Sequence, residues 1–230
     1  MKTRVRIAAV VAAVSCIIAG LVPDCCGASD VDNAFSMIGA QMSVGNFHLY
    51  PPFYNNVIAP HALVANGTVF CAFQDTGGRP VVMAYNIKLK KWSKSVTASD
   101  FGLGKDAHGN PSICLDRNGY IHIFYGCHGR AMRHTKSTQP FDITAWREQS
   151  EPTKRATYPQ SIRMADNSLC LFYRAGGHME PWTLQTSSDD GATWSPGEKI
   201  IEMRLEPRDP LAAAYAAIVP GAESRTIHCF

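Results

Sequence analysis

The sequence predicts an all-β protein, a β-propeller built from four-stranded blades. Three observations support this fold class. A signature made of an apolar run, an Asn-centred turn and a second apolar run ending in an aromatic residue recurs along the chain. Its copies follow one another at about 50 residues, a period typical of propeller blades. Further short β-rich runs follow each copy, so that each unit holds about four strands.

The signature occurs three times in full and begins a fourth time. The full copies cover residues 63–73, 113–125 and 162–173, and the fourth runs from near Tyr215 to Phe230. Asn66-Gly67 in the first copy is a strong hairpin signal, because both central residues of a type I′ turn need positive φ. We therefore expect each repeat to open with a hairpin.

The third and fourth strands of each unit follow the hairpin. We expect them at residues 81–85 and near Trp92, at 132–136 and near Trp146, and at 182–186 and near Trp194. This makes about three and a half blades, whereas propellers close with 4 to 8. Because an open propeller leaves long unpaired edges, we expect residues 29–230 to be a partial propeller, a fragment of a parent of about seven blades.

Composition and the N-terminal segment limit the function classes. With 46% hydrophobic and 18% charged residues the chain is of ordinary globular type, and a net charge of +3 is too small to argue for a nucleic-acid partner. Three basic residues precede the apolar stretch 7–22, and small residues end at Ala28, which predicts a signal peptide over residues 1–28. No later stretch is long enough to span a bilayer. We expect a secreted monomer, extracellular or periplasmic, with no membrane partner.

Several conspicuous residues have structural interpretations. The segment 187–194 matches the S-x-D-x-G-x-T-W Asp-box, whose Ser and Asp are expected to tie a turn to its own backbone while Trp194 packs between blades. His122 and His228 alternate with apolar residues, so we expect both in the core or directly behind the site residues. A structural metal ion held by His178 and His228 is a weaker alternative.

Propeller geometry brings a set of polar residues to one face near the central axis. These residues either precede the first strand of a blade or follow its second strand, and they are His108, Asn110, His128, Tyr158, Arg174 and Tyr215. A shift of 48 residues aligns Tyr125 with Tyr173 and places Tyr158 on Asn110. The scaffold repeats and these side chains do not, which indicates function placed on a repeated frame.

At these residues the chain resembles the BNR-repeat propeller family that includes the ulvan lyases, which cleave uronate-containing algal polysaccharides by β-elimination. Sites of that family pair two histidines about twenty positions apart with a tyrosine and an arginine sixteen apart. Here His108 and His128 lie 20 residues apart, and Tyr158 and Arg174 lie 16 apart. Tyr215 resembles the second tyrosine of such sites.

The resemblance implies catalytic roles for four residues. β-Elimination removes a proton α to a carboxylate, and Arg174 suits the neutralisation of that carboxylate because its guanidinium binds carboxylate bidentately. Tyr158 or His108 would act as base and acid, and His128 would neutralise or orient the carboxylate. Asn110, Arg130 and Tyr215 are expected to bind the acidic polysaccharide, and no cofactor or metal is required in this scheme.

Two other functions are consistent with the same residues. A sialidase-like glycoside hydrolase needs a carboxylic acid near the axis, and Asp106 is the only nearby carboxylate with a plausible position. A non-catalytic carbohydrate-binding propeller would use the same His, Tyr and Arg residues to hold an acidic glycan. A lyase leaves an unsaturated uronate that absorbs in the ultraviolet, so the products separate these alternatives.

Overall fold

The computed structural model describes residues 62–104, 106–177, 179–202 and 215–230. The predicted signal peptide, residues 1–28, and His178 lie outside these ranges. The described residues form three antiparallel sheets and one hairpin, with two short 3₁₀ helices, Ala107–Gly109 and Ala222–Ser224. The prediction of an all-β fold is confirmed. No helix among these residues is long and apolar enough to cross a membrane.

The sheets follow one another along the chain. The first contains β1 (Ala62–Ala65), β2 (Thr68–Gln74), β3 (Pro80–Asn86), β4 (Lys91–Trp92) and β5 (Val96–Thr97), with β4 and β5 both on the outer side of β3. The second contains β6 (Ser112–Leu115), β7 (Ile121–Tyr125), β9 (Arg133–Ser137) and β10 (Trp146–Glu148). The third contains β8 (His128–Arg130), β11 (Ala156–Arg163), β12 (Leu169–Arg174), β13 (Trp182–Ser187) and β14 (Glu198–Ile201). The hairpin pairs β15 (Ile218–Pro220) with β16 (Ile227–Cys229).

Strand positions agree with the repeat pattern except at two places. The outer strand of the third sheet is β14, and Trp194 lies before it in a loop, because the Asp-box turn occupies the residues that directly follow β13. The short strand β8 leaves the second repeat and pairs with β11 of the third sheet. The core prediction for His228 is wrong, since this residue is exposed in β16.

The hairpin turns are of two kinds. Asn66 and Gly67 have φ of 47° and 66°, which confirms the type I′ turn between β1 and β2. In the second and third sheets the turn has one left-handed residue, Gly119 or Asn167, with φ of 85° and 68°. These two loops are longer than the first, and the chain closes them with backbone bonds from Asp116 and Met164 to the residues that follow.

Apolar layers join neighbouring sheets. The layer between the first two sheets contains Phe70 and Val82 on one side and Ile113 and Ile121 on the other. The next two layers join the second sheet to the third and the third sheet to the hairpin; they include Phe124 with Leu171, and Phe172 with Ile218. Each sheet therefore depends on its neighbour to bury its apolar face.

Buried side-chain hydrogen bonds join the innermost strands of successive sheets. The Ser112 hydroxyl lies 2.8 Å from the Ser161 hydroxyl and also accepts from the backbone N–H of Ser161 at 2.8 Å. On the other side of β11, Gln160 donates to the Ala216 carbonyl at 2.8 Å and accepts from the Ile218 N–H at 2.9 Å. The strand β11 is therefore fixed to both of its neighbours.

Ser112→Ala is expected to destabilise the protein by about 1 to 3 kcal/mol, because it leaves the buried N–H of Ser161 without an acceptor. Ser161→Ala removes only a hydroxyl and should cost less, about 1 kcal/mol. Chemical denaturation of both variants measures how much free energy of unfolding each one loses. Equal costs would contradict the role given to the Ser161 N–H.

The Asp-box of the third sheet docks on the second sheet. Within the turn, Asp189 accepts from the Thr193 N–H at 2.9 Å, and Gly191 donates to the Ser187 hydroxyl at 2.9 Å. Gly191 has φ of 79° and lies so close to the His122 ring that a Cβ there would meet it at 3.0 Å. Trp194 packs edge-on against Phe124 of β7, with ring centroids 5.5 Å apart. Trp194 therefore packs between the second and third sheets.

A buried polar chain lies beneath this turn. His122 hydrogen-bonds through Nε2 to Asp116 at 3.3 Å and through Nδ1 to Nε2 of His134 at 2.8 Å, and both rings are fully buried. Burial lowers the pKa of His122 and holds the pKa of His134 well below its ordinary value. Burial would raise the pKa of Asp116, but hydrogen bonds from His122 and Lys136 outweigh it and hold this pKa well below its usual range.

The two buried histidines make the fold sensitive to mild acid. In the unfolded chain they titrate near about 6.5, so below that pH the unfolded state binds more protons than the folded state and stability falls as pH falls. The free energy of unfolding should fall by up to about 1.4 kcal/mol per pH unit for each histidine. We therefore expect the Tm to decrease from pH 7 to pH 5.

His134→Phe tests this assignment. The ring stacks on Phe124 at 4.4 Å, so Phe keeps the aromatic contact and removes one protonation site. The dependence of Tm on pH over this range should become shallower in the variant, as measured by thermal melts at several pH values. An unchanged slope would place the acid sensitivity elsewhere.

Candidate active site

A short 3₁₀ helix before β6 begins the site. Asp106 caps this helix, and its carboxylate accepts from the backbone N–H of His108 at 3.0 Å. The backbone carbonyl of Asp106 accepts from the Gln74 side chain at 3.2 Å, and the Gly126 N–H reaches the Gly109 carbonyl at 3.3 Å. The helix is thereby held between the end of β2 and the end of β7.

Two histidines share the Asp106 carboxylate. Nδ1 of His108 lies 2.6 Å from Oδ1, and Nδ1 of His128 lies 2.6 Å from Oδ2. The two imidazole rings are stacked, with centroids 3.9 Å apart and planes 9° from parallel. Burial would raise the pKa of Asp106, but hydrogen bonds from His128 and from the backbone and side chain of His108 outweigh it, and this pKa lies below its usual range.

Tyr158 lies beside this pair in an unusual backbone conformation. Its φ is 60°, in the left-handed region that aromatic residues rarely adopt, at the point where the pairing of β11 and β12 shifts register. The ring is buried, and its centroid lies 5.4 Å from that of His108. Strained backbone of this kind clusters at functional sites, where the surrounding structure holds it.

Arg174, the last residue of β12, completes the cluster. Its guanidinium lies 4.9 Å from the Tyr158 ring centroid and 5.4 Å from that of Tyr215. The residue is only 2% exposed, yet its Nε and Nη1 have no hydrogen-bond partner among the described residues. No carboxylate in those ranges forms an ion pair with it. A buried guanidinium without an anion is costly unless a ligand supplies one.

The structure therefore brings together five of the residues singled out from the sequence: His108, His128, Tyr158, Arg174 and Tyr215. Tyr215 precedes β15, is 50% exposed, and its ring lies 5.7 Å from that of Tyr158. Asn110 is the half-buried C-cap of the 3₁₀ helix, one residue past Gly109. Arg130 lies in β8 opposite Ala156 with its side chain exposed, and it forms no ion pair with the cluster in the described residues.

Sequence reasoning underrated Asp106, which it considered only as a possible acid of a hydrolase. The signal was present in Asp106-Ala107-His108, because an Asp two residues before a His in a capped turn accepts the backbone N–H of that His. One potential ligand atom from each of Asp106, His108 and His128 lies within 4.8 Å of the others, a spacing that a metal ion could bridge. In the structure both histidines are instead hydrogen-bonded to the Asp106 carboxylate.

Comparison with known proteins identifies the family. A family model described as "BNR repeat-containing family member" matches residues 68–216, well over half of the chain. The chain belongs to the BNR repeat-containing family. The matched range runs from β2 to the residue after Tyr215, so it includes the whole of the histidine, tyrosine and arginine cluster.

The chain is also similar to curated proteins named ulvan lyases. An ulvan lyase of Alteromonas sp. (strain LOR) is 34% identical over 158 residues, 59% of this chain and 33% of that protein. An ulvan lyase of Pseudoalteromonas sp. (strain PLSV) is 31% identical over 180 residues, 68% of this chain and 37% of that protein. The chain thus spans about a third of the length of these relatives.

A solved structure of an ulvan lyase shares the fold. It superposes with a TM-score of 0.65 and 28% identity, covering 73% of this chain and 44% of that protein. The same comparison finds that lyase bound to an oligosaccharide of glucuronic acid and 3-sulfated rhamnose, again with a TM-score of 0.65.

Proposed function

We propose that this protein is a polysaccharide lyase that cleaves a uronate-containing, ulvan-like polysaccharide by β-elimination. The observation that carries the proposal is Arg174, a buried cation without a protein anion in the described residues, beside two tyrosines and near a histidine pair. A uronate carboxylate is the anion that fits this place, because a guanidinium binds carboxylate in a bidentate fork.

The Arg174 cation suits the negative charge that develops during β-elimination. Removing the C5 proton of a uronate builds negative charge on the adjacent carboxylate, and a preorganised cation stabilises that charge best where water is excluded. The Arg174 side chain is almost completely buried. It therefore serves as the neutralising group.

A base and an acid lie next to it. Tyr158 is in contact with Arg174, and His108 lies beside Tyr158. One of these two takes the C5 proton, and the other protonates the departing O4 of the glycosidic bond. His128, stacked on His108, helps to orient or neutralise the carboxylate. Asn110, Arg130 and Tyr215 would contact the sugar chain.

The relatives support the substrate class. The curated relatives are named ulvan lyases, and the solved ulvan lyase was obtained with a glucuronate-containing, sulfated oligosaccharide. This chain shares with the solved lyase the fold on which its own cluster is placed. An acidic polysaccharide is accordingly the partner that we assign to the site.

The architecture and the location are part of the proposal. The three sheets and the hairpin are taken as consecutive propeller blades within residues 29–230, with a parent of about seven blades. Residues 1–28 are taken as a signal peptide, so that the enzyme is exported as a monomer to where algal polysaccharide is found.

Incubation of the purified protein with ulvan should produce a rise in ultraviolet absorbance from unsaturated uronate. Arg174→Met should reduce the rate by about 10²- to 10³-fold or more, because the charge that develops on the carboxylate is no longer neutralised. Arg163→Met is the matched control. This arginine lies on β11, donates to the Asp116 carbonyl at 2.9 Å and is outside the cluster.

Other outcomes separate the rival functions. New reducing ends without ultraviolet absorbance would indicate a hydrolase, and saturable binding of ulvan without any product would indicate a carbohydrate-binding module. Full lyase activity in Arg174→Met would contradict the mechanism.

Arg174→Met should also leave the Tm unchanged or raise it. Removing the buried, unpaired charge stabilises the folded state by roughly 1 to 4 kcal/mol. Losing the contacts with the two aromatic rings destabilises it by about 0.5 to 2 kcal/mol, so the first effect is the larger. Thermal melts of both variants test this. A clear loss of stability in Arg174→Met, at or beyond that of Arg163→Met, would mean that Arg174 is structural.

A further inference from the structure

The shared carboxylate of Asp106 constrains the protons on both histidines. Each of its oxygens lies 2.6 Å from an Nδ1 atom, one from His108 and the other from His128. Because its pKa lies below the usual range, Asp106 is ionised at neutral pH and can only accept hydrogen bonds. Both Nδ1 atoms must therefore carry a proton.

This fixes the tautomer of the neutral rings. A neutral imidazole has one N–H and one lone pair, so a proton on Nδ1 leaves the lone pair on Nε2. His108 and His128 are then both able to accept a proton at Nε2. The stacking at 3.9 Å holds the two rings in the same orientation relative to their common carboxylate.

The buried chain beneath the Asp-box provides a contrast within the same protein. There Asp116 accepts from Nε2 of His122, which leaves the lone pair of His122 on Nδ1, where Nε2–H of His134 donates. The carboxylate contact decides the tautomer in both places, and it selects the opposite nitrogen.

We propose that Asp106 is a positioning residue that holds His108 and His128 together as Nδ1–H tautomers, so that Nε2 is the proton-accepting atom of each. The contribution of these tautomers to catalysis rests on the proposed lyase function. Asp106 itself does not need to touch the substrate, because it acts through the two rings.

Asp106→Asn breaks the arrangement while keeping the fold. Asn caps helix N-termini as well as Asp does, so the 3₁₀ helix keeps its cap. An amide has one acceptor oxygen and one donor nitrogen in place of two acceptors. One histidine can therefore keep its Nδ1–H bond, while the other must offer a lone pair at Nδ1 and lose the one at Nε2.

Nitrogen-15 NMR of the histidine rings tests the assignment without reference to activity. In the neutral form of the rings, the wild-type protein should show protonated Nδ1 in His108 and His128 and protonated Nε2 in His122. The His108→Gln and His128→Gln variants assign the signals. In Asp106→Asn, one of the two site histidines should change to the Nε2–H form, and His122 should not.

Turnover on ulvan gives the second readout. Asp106→Asn should lower kcat on the order of 10²-fold, because one ring no longer carries a lone pair at Nε2. The change in KM should be smaller, because Arg174, which binds the carboxylate, is untouched. Asp100→Asn is the matched control, because Asp100 is an exposed carboxylate six residues earlier that makes no hydrogen bond to a histidine. It should leave both the tautomers and kcat unchanged.

The outcomes separate this inference from the proposed function. Nε2–H tautomers at His108 and His128 in the wild-type protein, or unchanged tautomers in Asp106→Asn, would overturn the role of Asp106. Wild-type protein with the expected tautomers but without lyase activity would support that role and reject the lyase. The expected tautomer change with an unchanged kcat in Asp106→Asn would show that the tautomers of His108 and His128 do not contribute to turnover.

Discussion

The strand β11 is the constraint on which the site depends. Within its span from Thr157 to Ser161, side-chain hydrogen bonds join it to four neighbouring segments. The Thr157 hydroxyl accepts from the Gly129 N–H at 2.9 Å and donates to the Gly176 carbonyl at 2.6 Å, which ties together the segments that follow His128 and Arg174. Gln160 and Ser161 bond to the hairpin and to β6. With both sides of the strand fixed, Tyr158 can be held at φ of 60° between them.

The protein contains two carboxylate–histidine networks built from the same residue types, and burial separates their roles. Asp116 and its two histidines are fully buried, so burial suppresses protonation of the rings, and the network lies within the second sheet. Asp106, His108 and His128 are part-exposed, with 32%, 22% and 40% of the side chain accessible. Those rings are accessible from solvent. A histidine pair is therefore a structural or a chemical device according to its access to solvent.

The sequence predicted the repeats and the grouping of the site, because both depend on strand ends at fixed spacing. His108, Tyr158 and Arg174 come together as expected since each lies near the same end of an inner strand pair. Periodicity could not show the left-handed φ of Tyr158, which arises from a register shift between β11 and β12. It also could not show that one carboxylate serves both His108 and His128, since that contact links residues 22 positions apart through a loop.

The site is divided between adjacent repeats, and this explains why its parts differ in charge. The second repeat supplies the carboxylate and the imidazoles, and the third supplies the phenol and the guanidinium, with Tyr158 at the position equivalent to Asn110. The imidazoles and the guanidinium keep their relative position only if the two repeats keep theirs. Ser112 and Ser161 connect the inner strands of those two repeats by buried hydrogen bonds. The geometry of the candidate site therefore depends on a contact that lies outside it.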